Sequence, residues 1–373
     1  MKVGCVKEIK NNEYRVGLTP DGARDFIAHG HEVYLEKGAG LGSGFPDEDY
    51  QALGVTILDR AEEVWSKVEM MVKVKEPLEE EYPFLREGLI LFTYFHLAAA
   101  PDQAKALIDH KIKAVAYETI EEEDGSLPCL APMSQIAGRL SIQEGAKYLE
   151  KPFGGAGILL AGVPGTPKAN VVILGAGAVG ANACKIALGM GANVSILNRS
   201  IKKLEYLDNI FGAHVQTLVS SDSNIERVLK DADLVIGSVL VPGGATPKLI
   251  RRRHLKMMKN GAVFVDVSID QGGCAESSRP TTHDDPIYIE EGVIHYCVTN
   301  MPGAVPRTST IALTNATLRY GLKIADLGLE KAAIADPALA KGVNCYLGML
   351  TNENVARATQ KDYTPLELAI CSK

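Results

Sequence analysis

The sequence predicts an α/β protein of two domains, each built on a parallel sheet. At 373 residues the chain is longer than one hydrophobic core usually serves. Short apolar runs alternate with helical patterns twice, before and after a Gly- and Pro-rich loop at 151–170. A turn with Gly175, Gly177 and Gly180 stands directly after the first apolar run of the second series. We therefore expect a Rossmann-type doubly wound parallel sheet, inserted into a discontinuous α/β domain.

The first series consists of strands without a clean alternation of apolar and polar residues, as in a parallel sheet covered on both faces. Thr19 opens a helix whose first position is Pro20, and a second helix begins at Pro101. Lys75 and His96 each end an apolar strand. The predicted strands are VGCV, EVYLE, MMVKVK, LILFTYFH and AVAYETI.

The second series follows a helix predicted over 133–150, which we interpret as a connector between the domains. Both series alternate strands with helices, but we find no sequence repeat between them. After Pro302 and Pro306, helical patterns continue from near Thr308 without a predicted strand, and these helices are expected to pack on the first domain. The segments that contain the predicted strands are NVVILGAGAVG, which also includes the glycine-rich turn, ANVSILN, HVQTLV, DLVIGSVL, GAVFVDVSI and VIHYCV. The predicted bounds are 1–128 with 307–373 for a catalytic, substrate-binding domain and 129–306 for a dinucleotide-binding domain.

The glycine-rich turn carries the pattern G-x-G-x-x-G between a strand and a helix. Gly175 permits the tight turn, Gly177 lets the backbone approach a pyrophosphate, and Gly180 allows the helix to pack closely on the sheet. The phosphates would lie at the helix N-terminus, where N–H groups and the helix dipole favour negative charge. The pattern predicts a bound dinucleotide and favours a nicotinamide-dependent dehydrogenase.

The end of the next strand departs from the usual pattern for NAD. An acidic residue is expected there to bind the ribose hydroxyls, but this chain has Asn198 followed by Arg199. Asn198 can still hydrogen-bond a ribose, but it has no charge to repel a 2′-phosphate. Arg199, Lys202 and Lys203 could attract one. We expect NAD as the cofactor, with NADP use left open.

Four charged or titratable residues lie near predicted carboxyl ends of strands, where α/β sheets bind ligands. Arg15 lies in the turn before the Thr19 helix, Lys75 and His96 end strands, and Asp270 lies just beyond the last buried strand. Cations can bind an acid group, and an imidazole or a carboxylate can exchange protons. A structural interpretation stays open for three of them: Arg15 and Lys75 as loop charges, and His96 as a structural histidine.

Composition excludes several classes of protein. The net charge of −7 and the pI near 5.7 argue against a general nucleic-acid binder. Seven cysteines without a C-x-x-C pair fit a reducing compartment, the cytoplasm, and no zinc site. We expect no signal peptide and no membrane span. His283, Asp284 and Asp285 are adjacent in a polar loop, and we expect no metal there.

Several ordered blocks together resemble the alanine dehydrogenase family over essentially the full length of the chain. They are KEIKNNEYRVGLTP, MVKVKEP, LFTYFHLA, APMSQIAGRLS, VVILGAGAVG, VFVDVSIDQGGCAE and VTNMPGAVPRTST. The resemblance implies reversible NAD-dependent oxidative deamination of L-alanine to pyruvate and ammonium. It implies that Arg15 and Lys75 bind the substrate carboxylate and carbonyl, and that His96 and Asp270 are the catalytic pair. It further implies a homohexamer.

The same resemblance implies further contacts with the cofactor. Position 198 departs from the family, because these enzymes usually carry aspartate where this chain has Asn198. The implied contacts besides the three glycines are Ser134, Ala178, Val179, Lys203, Ser220, Val239, Leu240, Val267, Ser268, Ile269, Asp270, Arg279, Val298, Thr299, Asn300 and Met301.

Three other interpretations stay open. A cofactor-binding subunit of a proton-translocating transhydrogenase would share the fold and act on no amino acid. A saccharopine-type dehydrogenase would act on a larger amino acid. A non-catalytic dinucleotide sensor, or an eye-lens-like binding protein of dehydrogenase ancestry, would bind the cofactor without turnover. The joint presence of Arg15, Lys75, His96 and Asp270 argues against the transhydrogenase subunit.

Overall fold

The computed structural model describes residues 1–239 and 246–372. The chain divides into two compact units. Unit 1 comprises Met1–Met133 with Val305–Lys373, and unit 2 comprises Ser134–Ala304. None of the helices in the described part of the chain is both long and apolar enough to cross a membrane.

The first division falls after Met133, whereas the sequence analysis placed it after residue 128. Residues 129–133 contact unit 1: the Tyr94 hydroxyl donates to the Cys129 carbonyl at 2.6 Å, and Arg15 Nη1 donates to the Met133 sulfur at 3.1 Å. These contacts explain why the first turn of the connecting helix belongs to unit 1.

The N-terminal part of unit 1 alternates strands and helices. Its elements are β1 (Lys2–Cys5), α1 (Pro20–Ala28), β2 (Glu32–Glu36), α2 (Asp47–Gln51), β3 (Thr56–Leu58), α3 (Ala61–Lys67), β4 (Met70–Val72), β5 (Ile90–Thr93), α4 (Pro101–Asp109) and β6 (Lys113–Ala116). The predicted start of α1 is confirmed, because Thr19 Oγ1 accepts the N–H of Gly22 at 3.2 Å. Strands β4 and β5 end before Lys75 and His96, which lie in the loops that follow.

Unit 2 is entered through the long helix α5 (Ala131–Tyr148). Gly138 lets this helix approach the cofactor turn closely, because a Cβ there would lie 2.2 Å from the Val179 carbonyl oxygen. The remaining elements are β7 (Asn170–Leu174), α6 (Ala178–Gly189), β8 (Asn193–Asn198), α7 (Ile201–Phe211), β9 (Val215–Val219), α8 (Asp222–Leu229), β10 (Leu234–Gly237), α9 (Arg252–Leu255), β11 (Val263–Asp266), β12 (Ile287–Glu290) and β13 (Val293–Tyr296).

The C-terminal part of unit 1 contains strands, so the prediction of a strandless tail was wrong. Its elements are α10 (Pro306–Leu327), α11 (Leu329–Ala335), α12 (Pro337–Gly342), β14 (Val343–Tyr346), β15 (Met349–Leu350), α13 (Glu353–Thr359) and α14 (Leu366–Cys371). Strands β14 and β15 form a hairpin around Leu347 and Gly348, both at positive φ. The strands are short, and Asn344 interrupts their apolar run, so the surrounding helical pattern hid them.

The sheet of unit 1 has the strand order β15-β14-β6-β5-β4-β1-β2-β3 within the described residues. Strands β1 to β6 run parallel, and β14 joins the edge of β6 in the antiparallel direction. One face packs a core that includes Val64, Trp65, Leu91 and Leu107. The tail of the chain thus completes a sheet that its first third begins.

The sheet of unit 2 has the order β12-β13-β11-β10-β7-β8-β9, and all of its strands except β12 run parallel. From β9 inward this is the doubly wound order 3-2-1-4-5-6. The predicted fold class is confirmed. Strand β12 was not predicted; it is an antiparallel edge strand in which Ile289 is exposed. Because this exposed residue is apolar, β12 lacks the alternation of apolar and polar residues that indicates an edge strand.

The two sheets share the alternation of strands and helices seen in the sequence, and they also share the order of their strands. In unit 1 the six parallel strands have the order β3-β2-β1-β4-β5-β6, and in unit 2 those from β7 onward are arranged in the same way. Each sheet therefore has a switch point beside its first strand, where ligands bind in open α/β sheets. In unit 1 the carboxyl ends of β1 and β4 meet there.

Candidate functional site

Arg15, Lys75 and His96 follow three adjacent strands of the unit 1 sheet. Arg15 follows β1, Lys75 follows β4 and His96 follows β5, and these strands are neighbours in the parallel part of the sheet. The carboxyl ends of parallel strands meet at one edge, so the three residues belong to the same edge.

Arg15 is buried and is held by Glu13. Its Nε donates to Glu13 Oε1 at 2.6 Å and its Nη2 donates to Oε2 at 2.5 Å, a bidentate pair with both side chains buried. Burial alone would lower the pKa of Arg15, but the hydrogen bonds and the charge of Glu13 outweigh it and raise that pKa. Arg15 therefore stays a cation with a fixed orientation.

Lys75 is half-buried, and its ammonium makes no ion pair with any residue in the described part of the chain. Burial and the nearby charge of Arg15 lower the pKa of Lys75. The backbone is held by Glu8, whose Oε1 accepts the N–H groups of Val74 at 2.6 Å and Lys75 at 3.3 Å. A lysine in this environment can donate to an oxygen of a bound ligand.

Lys73 has the opposite environment, although it is close to Lys75 in sequence. Its Nζ donates to Glu8 Oε2 at 3.1 Å and to Glu81 Oε1 at 2.9 Å, and all three side chains are buried. Burial alone would lower the pKa of Lys73, but the two carboxylates raise it. Lys73 is therefore a structural cation, and Glu8 connects it to the loop that carries Lys75.

His96 has a left-handed backbone, with φ 55° and ψ 39°. The residue is exposed, and its ring makes no hydrogen bond with any described residue. The ring is parallel to that of Tyr94, with an interplanar angle of 2° and centroids 5.9 Å apart. Tyr94 is buried and anchored through its hydroxyl to the Cys129 carbonyl. The imidazole nitrogens of His96 can therefore reach a ligand.

Glu118 binds the backbone that precedes and includes His96. Its Oε1 accepts the N–H of His96 at 2.7 Å, and both carboxylate oxygens lie 3.3 Å from the N–H nitrogen of Phe95. Glu118 follows β6, the neighbour of β5.

Three carboxylates that support the candidate site were not predicted from the sequence: Glu8, Glu13 and Glu118. Each looks like an ordinary loop or strand-end charge in the sequence. The signal that could have found Glu8 and Glu13 is charge balance, because a buried Lys or Arg needs a carboxylate partner. No sequence pattern indicates that Glu118 binds backbone N–H groups.

The glycine turn of unit 2 has the geometry that a dinucleotide requires. A Cβ on Gly180 would lie 1.9 Å from the Gly175 carbonyl oxygen, so only glycine allows this packing. A Cβ on Gly177 would meet nothing within 4 Å, so the space above the turn is open. Helix α6 follows Gly177 with no side-chain cap, so its first N–H groups can bind phosphate oxygens. These residues fit a dinucleotide.

Asn198 lies at the end of β8 and contacts the same turn. Its Oδ1 accepts the N–H of Ala176 at 3.3 Å, and its Nδ2 donates to the Ser200 carbonyl at 3.3 Å. Arg199 and Lys203 are exposed. The side chain of Asn198 therefore connects the glycine turn to the start of α7, an arrangement that the sequence did not indicate.

Asp266 and Asp270 differ in environment. Asp266 is buried, and its carboxylate accepts the N–H groups of Ser268 and Cys274 and the hydroxyl of Ser278, at 3.1, 2.8 and 2.5 Å. Burial raises the pKa of Asp266, and the hydrogen bonds oppose that rise. Asp270 is exposed in the 3₁₀ turn that follows β11 and makes no hydrogen bond with a described residue. Asp266 shapes the loop, and Asp270 is presented to solvent.

Most of the other implied cofactor contacts follow strands of unit 2 at their carboxyl ends, the edge where this fold binds dinucleotides. Three do not: Ser134 lies in the first turn of α5, Lys203 in α7 and Arg279 beside the ring of Tyr288. Leu240 lies outside the described residues. Those that follow strands are Ala178 and Val179 after β7, Ser220 after β9, Val239 after β10, Val267, Ser268, Ile269 and Asp270 after β11, and Val298, Thr299, Asn300 and Met301 after β13.

His283 and two buried cysteines lie elsewhere in unit 2. His283 Nε2 lies 3.2 Å from the Asn300 carbonyl, and the described residues contain no group of three potential ligands that could hold a metal ion. Cys274 and Cys297 are buried, and burial raises the pKa of both thiols, that of Cys297 to about 12. At neutral pH both remain protonated.

Comparison with known proteins finds family models that match both parts of the chain. Residues 4–137 match the family described as alanine dehydrogenase/PNT, N-terminal domain, and residues 141–353 match the alanine dehydrogenase/PNT, C-terminal domain. A curated relative named alanine dehydrogenase, from Methanococcus maripaludis, is 56% identical over 99% of this chain and 100% of its own length.

Solved structures give the same result at the level of the fold. A structure named L-alanine dehydrogenase is 48% identical, covers 96% of this chain and 99% of its own, and superposes with a TM-score of 0.94. A transhydrogenase from Sinorhizobium meliloti superposes with a TM-score of 0.80 at 21% identity, covering 95% of this chain and 99% of its own. The second likeness concerns the fold alone.

Proposed function

The chain belongs to the alanine dehydrogenase/PNT family, and on that premise we propose that it catalyses the reversible oxidative deamination of L-alanine. The products are pyruvate, ammonium, NADH and a proton, from L-alanine, NAD and water. The observation that carries the proposal is the carboxyl edge of the unit 1 sheet, where two cations and an exposed imidazole follow three adjacent strands.

Arg15 and Lys75 are proposed to bind the substrate. The guanidinium of Arg15 can donate hydrogen bonds to a substrate carboxylate, and Glu13 keeps the guanidinium plane fixed. The Lys75 ammonium can donate to the keto oxygen of pyruvate and so polarise the carbonyl carbon. The lowered pKa of Lys75 makes the protonated ammonium a better proton donor than an ordinary lysine.

His96 and Asp270 are proposed as the catalytic residues. His96 can take a proton from the attacking water or return one to the leaving group, because a neutral imidazole nitrogen accepts a proton and a protonated one donates it. The Asp270 carboxylate can stabilise the positive charge of the substrate ammonium and iminium groups. Both side chains are exposed and without a hydrogen-bond partner among the described residues, so both can contact a ligand.

We propose that Gly175, Gly177 and Gly180 hold the pyrophosphate of the cofactor, together with the N-terminus of α6. The implied contacts at the carboxyl ends of β8 to β13 would bind its remaining groups. When bound, the nicotinamide exchanges a hydride with the substrate α-carbon. NAD is the proposed cofactor, with NADP as a second substrate of the same site because of Asn198 and Arg199.

The cofactor proposal is tested by paired kinetics with NADH and NADPH on the wild type and Asn198→Asp. Aspartate keeps an acceptor for the Ala176 N–H but removes the donor to the Ser200 carbonyl. The kcat/KM ratio for NADPH over NADH should fall at least about tenfold in the variant, because the new charge repels a 2′-phosphate. Lys185→Ala, outside these contacts, is the control. A wild type that strongly prefers NADPH would contradict the choice of NAD.

The reaction is tested by following NADH absorbance with pyruvate plus ammonium. Turnover is expected, with little or none for 2-oxoglutarate plus lysine. An assay with glyoxylate measures whether a smaller oxo acid is also accepted. A preference for 2-oxoglutarate plus lysine would instead support a saccharopine-type enzyme. No turnover in any mixture, with NADH still bound, would support a sensor or a transhydrogenase-type subunit.

We further propose a homohexamer in the cytoplasm. Hexamer formation is implied by the resemblance, and seven free cysteines, six of them buried, fit a reducing compartment. Light scattering coupled to size exclusion should give six times the chain mass of 40.0 kDa. A dimer or a monomer at micromolar concentration would contradict the oligomeric state.

A further inference from the structure

We propose that Glu118 is the positioning residue of His96 and holds the imidazole in place through the backbone. The proposal rests on the proposed function, because the position of His96 affects turnover only if this residue transfers protons in that reaction. The one relationship that carries it is a carboxylate bound to the N–H of a histidine in a left-handed conformation.

The backbone of His96 needs an external support. A φ of 55° is unfavourable for a residue with a Cβ atom, and histidine adopts it only where the surroundings favour it. Glu118 Oε1 accepts the His96 N–H at 2.7 Å, and the His96 carbonyl accepts the N–H of Ala99 at 3.0 Å. Both peptide groups that flank the residue are therefore fixed.

The pairing of β5 with β6 places Glu118 at the same level of the sheet as His96. Strands β5 and β6 pair in parallel with Thr93 opposite Ala116, so the chain leaves both strands at the same level. The carboxylate also lies 3.3 Å from the N–H nitrogen of the buried residue Phe95. Two successive N–H groups thus share one anion, as in backbone anion sites. Removal of the carboxylate would leave them without an acceptor.

The backbone conformation determines where the imidazole lies. The left-handed geometry directs the ring of His96 parallel to Tyr94, with an interplanar angle of 2°. Tyr94 cannot move together with His96, because the Tyr94 hydroxyl donates to the Cys129 carbonyl. Its ring also packs edge-on against the ring of Tyr117, with the ring centroids 5.0 Å apart. If His96 relaxed to an extended backbone, its ring would leave this position while Tyr94 stayed.

The test compares Glu118→Ala, Glu118→Gln and a control, Glu121→Ala, in the pyruvate and ammonium assay. Glu121 is partly exposed and pairs with Lys341. Glu118→Ala should lower kcat about 100-fold, as a displacement of a catalytic group by about 1 Å does. KM for NADH should not change. Glu118→Gln keeps an acceptor oxygen and should recover most of the loss, and Glu121→Ala should match the wild type.

A double variant tests whether Glu118 acts through His96. His96→Ala with Glu118→Ala should be no slower than His96→Ala alone, because the imidazole is already absent. If Glu118→Ala does not fold, Glu118→Asp withdraws the carboxylate by one methylene and should lower kcat about tenfold, again with no further effect in the His96→Ala background.

The outcomes separate this proposal from the proposed function. A wild type without turnover would overturn the proposed function. An active wild type whose kcat survives Glu118→Ala and Glu118→Asp within about twofold would overturn only the positioning role. A double variant far slower than His96→Ala would do so as well, because Glu118 would then act independently of the imidazole.

Discussion

Glu13 and Arg15 form a bidentate ion pair that is closed to solvent, with distances of 2.6 and 2.5 Å between the paired atoms. The pair leaves the guanidinium charged and rigid before any substrate arrives. Orientation of a carboxylate by a preset cation lowers the entropy lost on binding.

Substitution of Glu13 should weaken pyruvate binding more than turnover. Glu13→Gln keeps one acceptor for Arg15, so KM for pyruvate should rise about tenfold while kcat falls less. Glu13→Ala removes the bidentate carboxylate partner of a buried cation and should lower the free energy of unfolding by about 3–5 kcal/mol. Steady-state kinetics and urea unfolding measure the two effects. Glu62→Gln, which breaks an exposed pair with Arg60, is the control. An unchanged KM in Glu13→Gln would contradict the role.

Alanine substitutions at two glycines of the cofactor turn should have different effects, one on stability and the other on cofactor binding. Gly180→Ala places a Cβ 1.9 Å from the Gly175 carbonyl oxygen, so the variant should fold poorly, with a marked fall in Tm. Gly177→Ala meets no protein atom and should keep the wild-type Tm. It should lose NADH affinity, because its methyl group enters the space meant for the pyrophosphate. Differential scanning calorimetry and NADH fluorescence titration separate the two. Equal losses of Tm would be inconsistent with this geometry.

Lys73→Met should destabilise unit 1 and should do so more strongly as the pH rises. The variant leaves the carboxylates of Glu8 and Glu81 buried without their cation, at a cost of about 3–5 kcal/mol. Burial already raises the pKa of Glu8 and Lys73 lowers it, so loss of Lys73 raises it further. A carboxyl with a raised pKa in the folded state stabilises below its unfolded value near 4.5 and loses this stabilisation at higher pH.

The measurement is guanidinium unfolding of Lys73→Met at several values between pH 5 and pH 8. Lys105→Met removes an exposed pair with Asp109 and should show no such pH dependence. A deficit for Lys73→Met that stays constant over this interval would exclude the coupled titration.

Glu330 should stabilise the C-terminal part of unit 1 in a way that acid removes. Its Oε1 accepts hydrogen bonds from Lys113 Nζ at 2.5 Å and from the Tyr346 hydroxyl at 2.9 Å. Partial burial alone would raise the pKa of Glu330, but these contacts lower it to about 2. The stabilisation is present above the unfolded value near 4.5 and is lost as the pH falls toward about 2.

Thermal unfolding of the wild type and Glu330→Gln measures this effect. The variant should be less stable by at most about 3 kcal/mol at pH 7, and the difference should shrink steadily below about pH 4.5. Glu367→Gln on the exposed side of α14 serves as the control. A difference that persists unchanged at pH 3 would contradict the depressed pKa.

Much of the fold was predictable because the buried parallel strands are apolar throughout. The pattern predicted the second sheet and its glycine turn, and both are confirmed in position and type. The tail hairpin was not predictable in this way, because β14 and β15 are too short to show a period. The pairing of β14 with β6 joins residues that are more than two hundred positions apart in the chain.

Only those residues of the candidate site were predictable whose charged or titratable side chains stand at the ends of predicted strands. Arg15, Lys75 and His96 could be chosen on that ground, and their places in the sheet agree with it. Glu13 and Glu118 could not, because their partners are a guanidinium two residues away and the backbone of another loop. Neither a buried ion pair nor a hydrogen bond to the main chain can be recognised from the spacing of residues in the sequence.

The hairpin at 343–350 also has a consequence for synthesis on the ribosome. The free edge of β6 is made early, whereas its partner β14 emerges only after all of unit 2. Unit 2, continuous in sequence, can fold first, while the edge of β6 stays open to pairing with other nascent chains. Chaperone demand during translation should therefore peak just before Val343–Tyr346 leaves the exit tunnel.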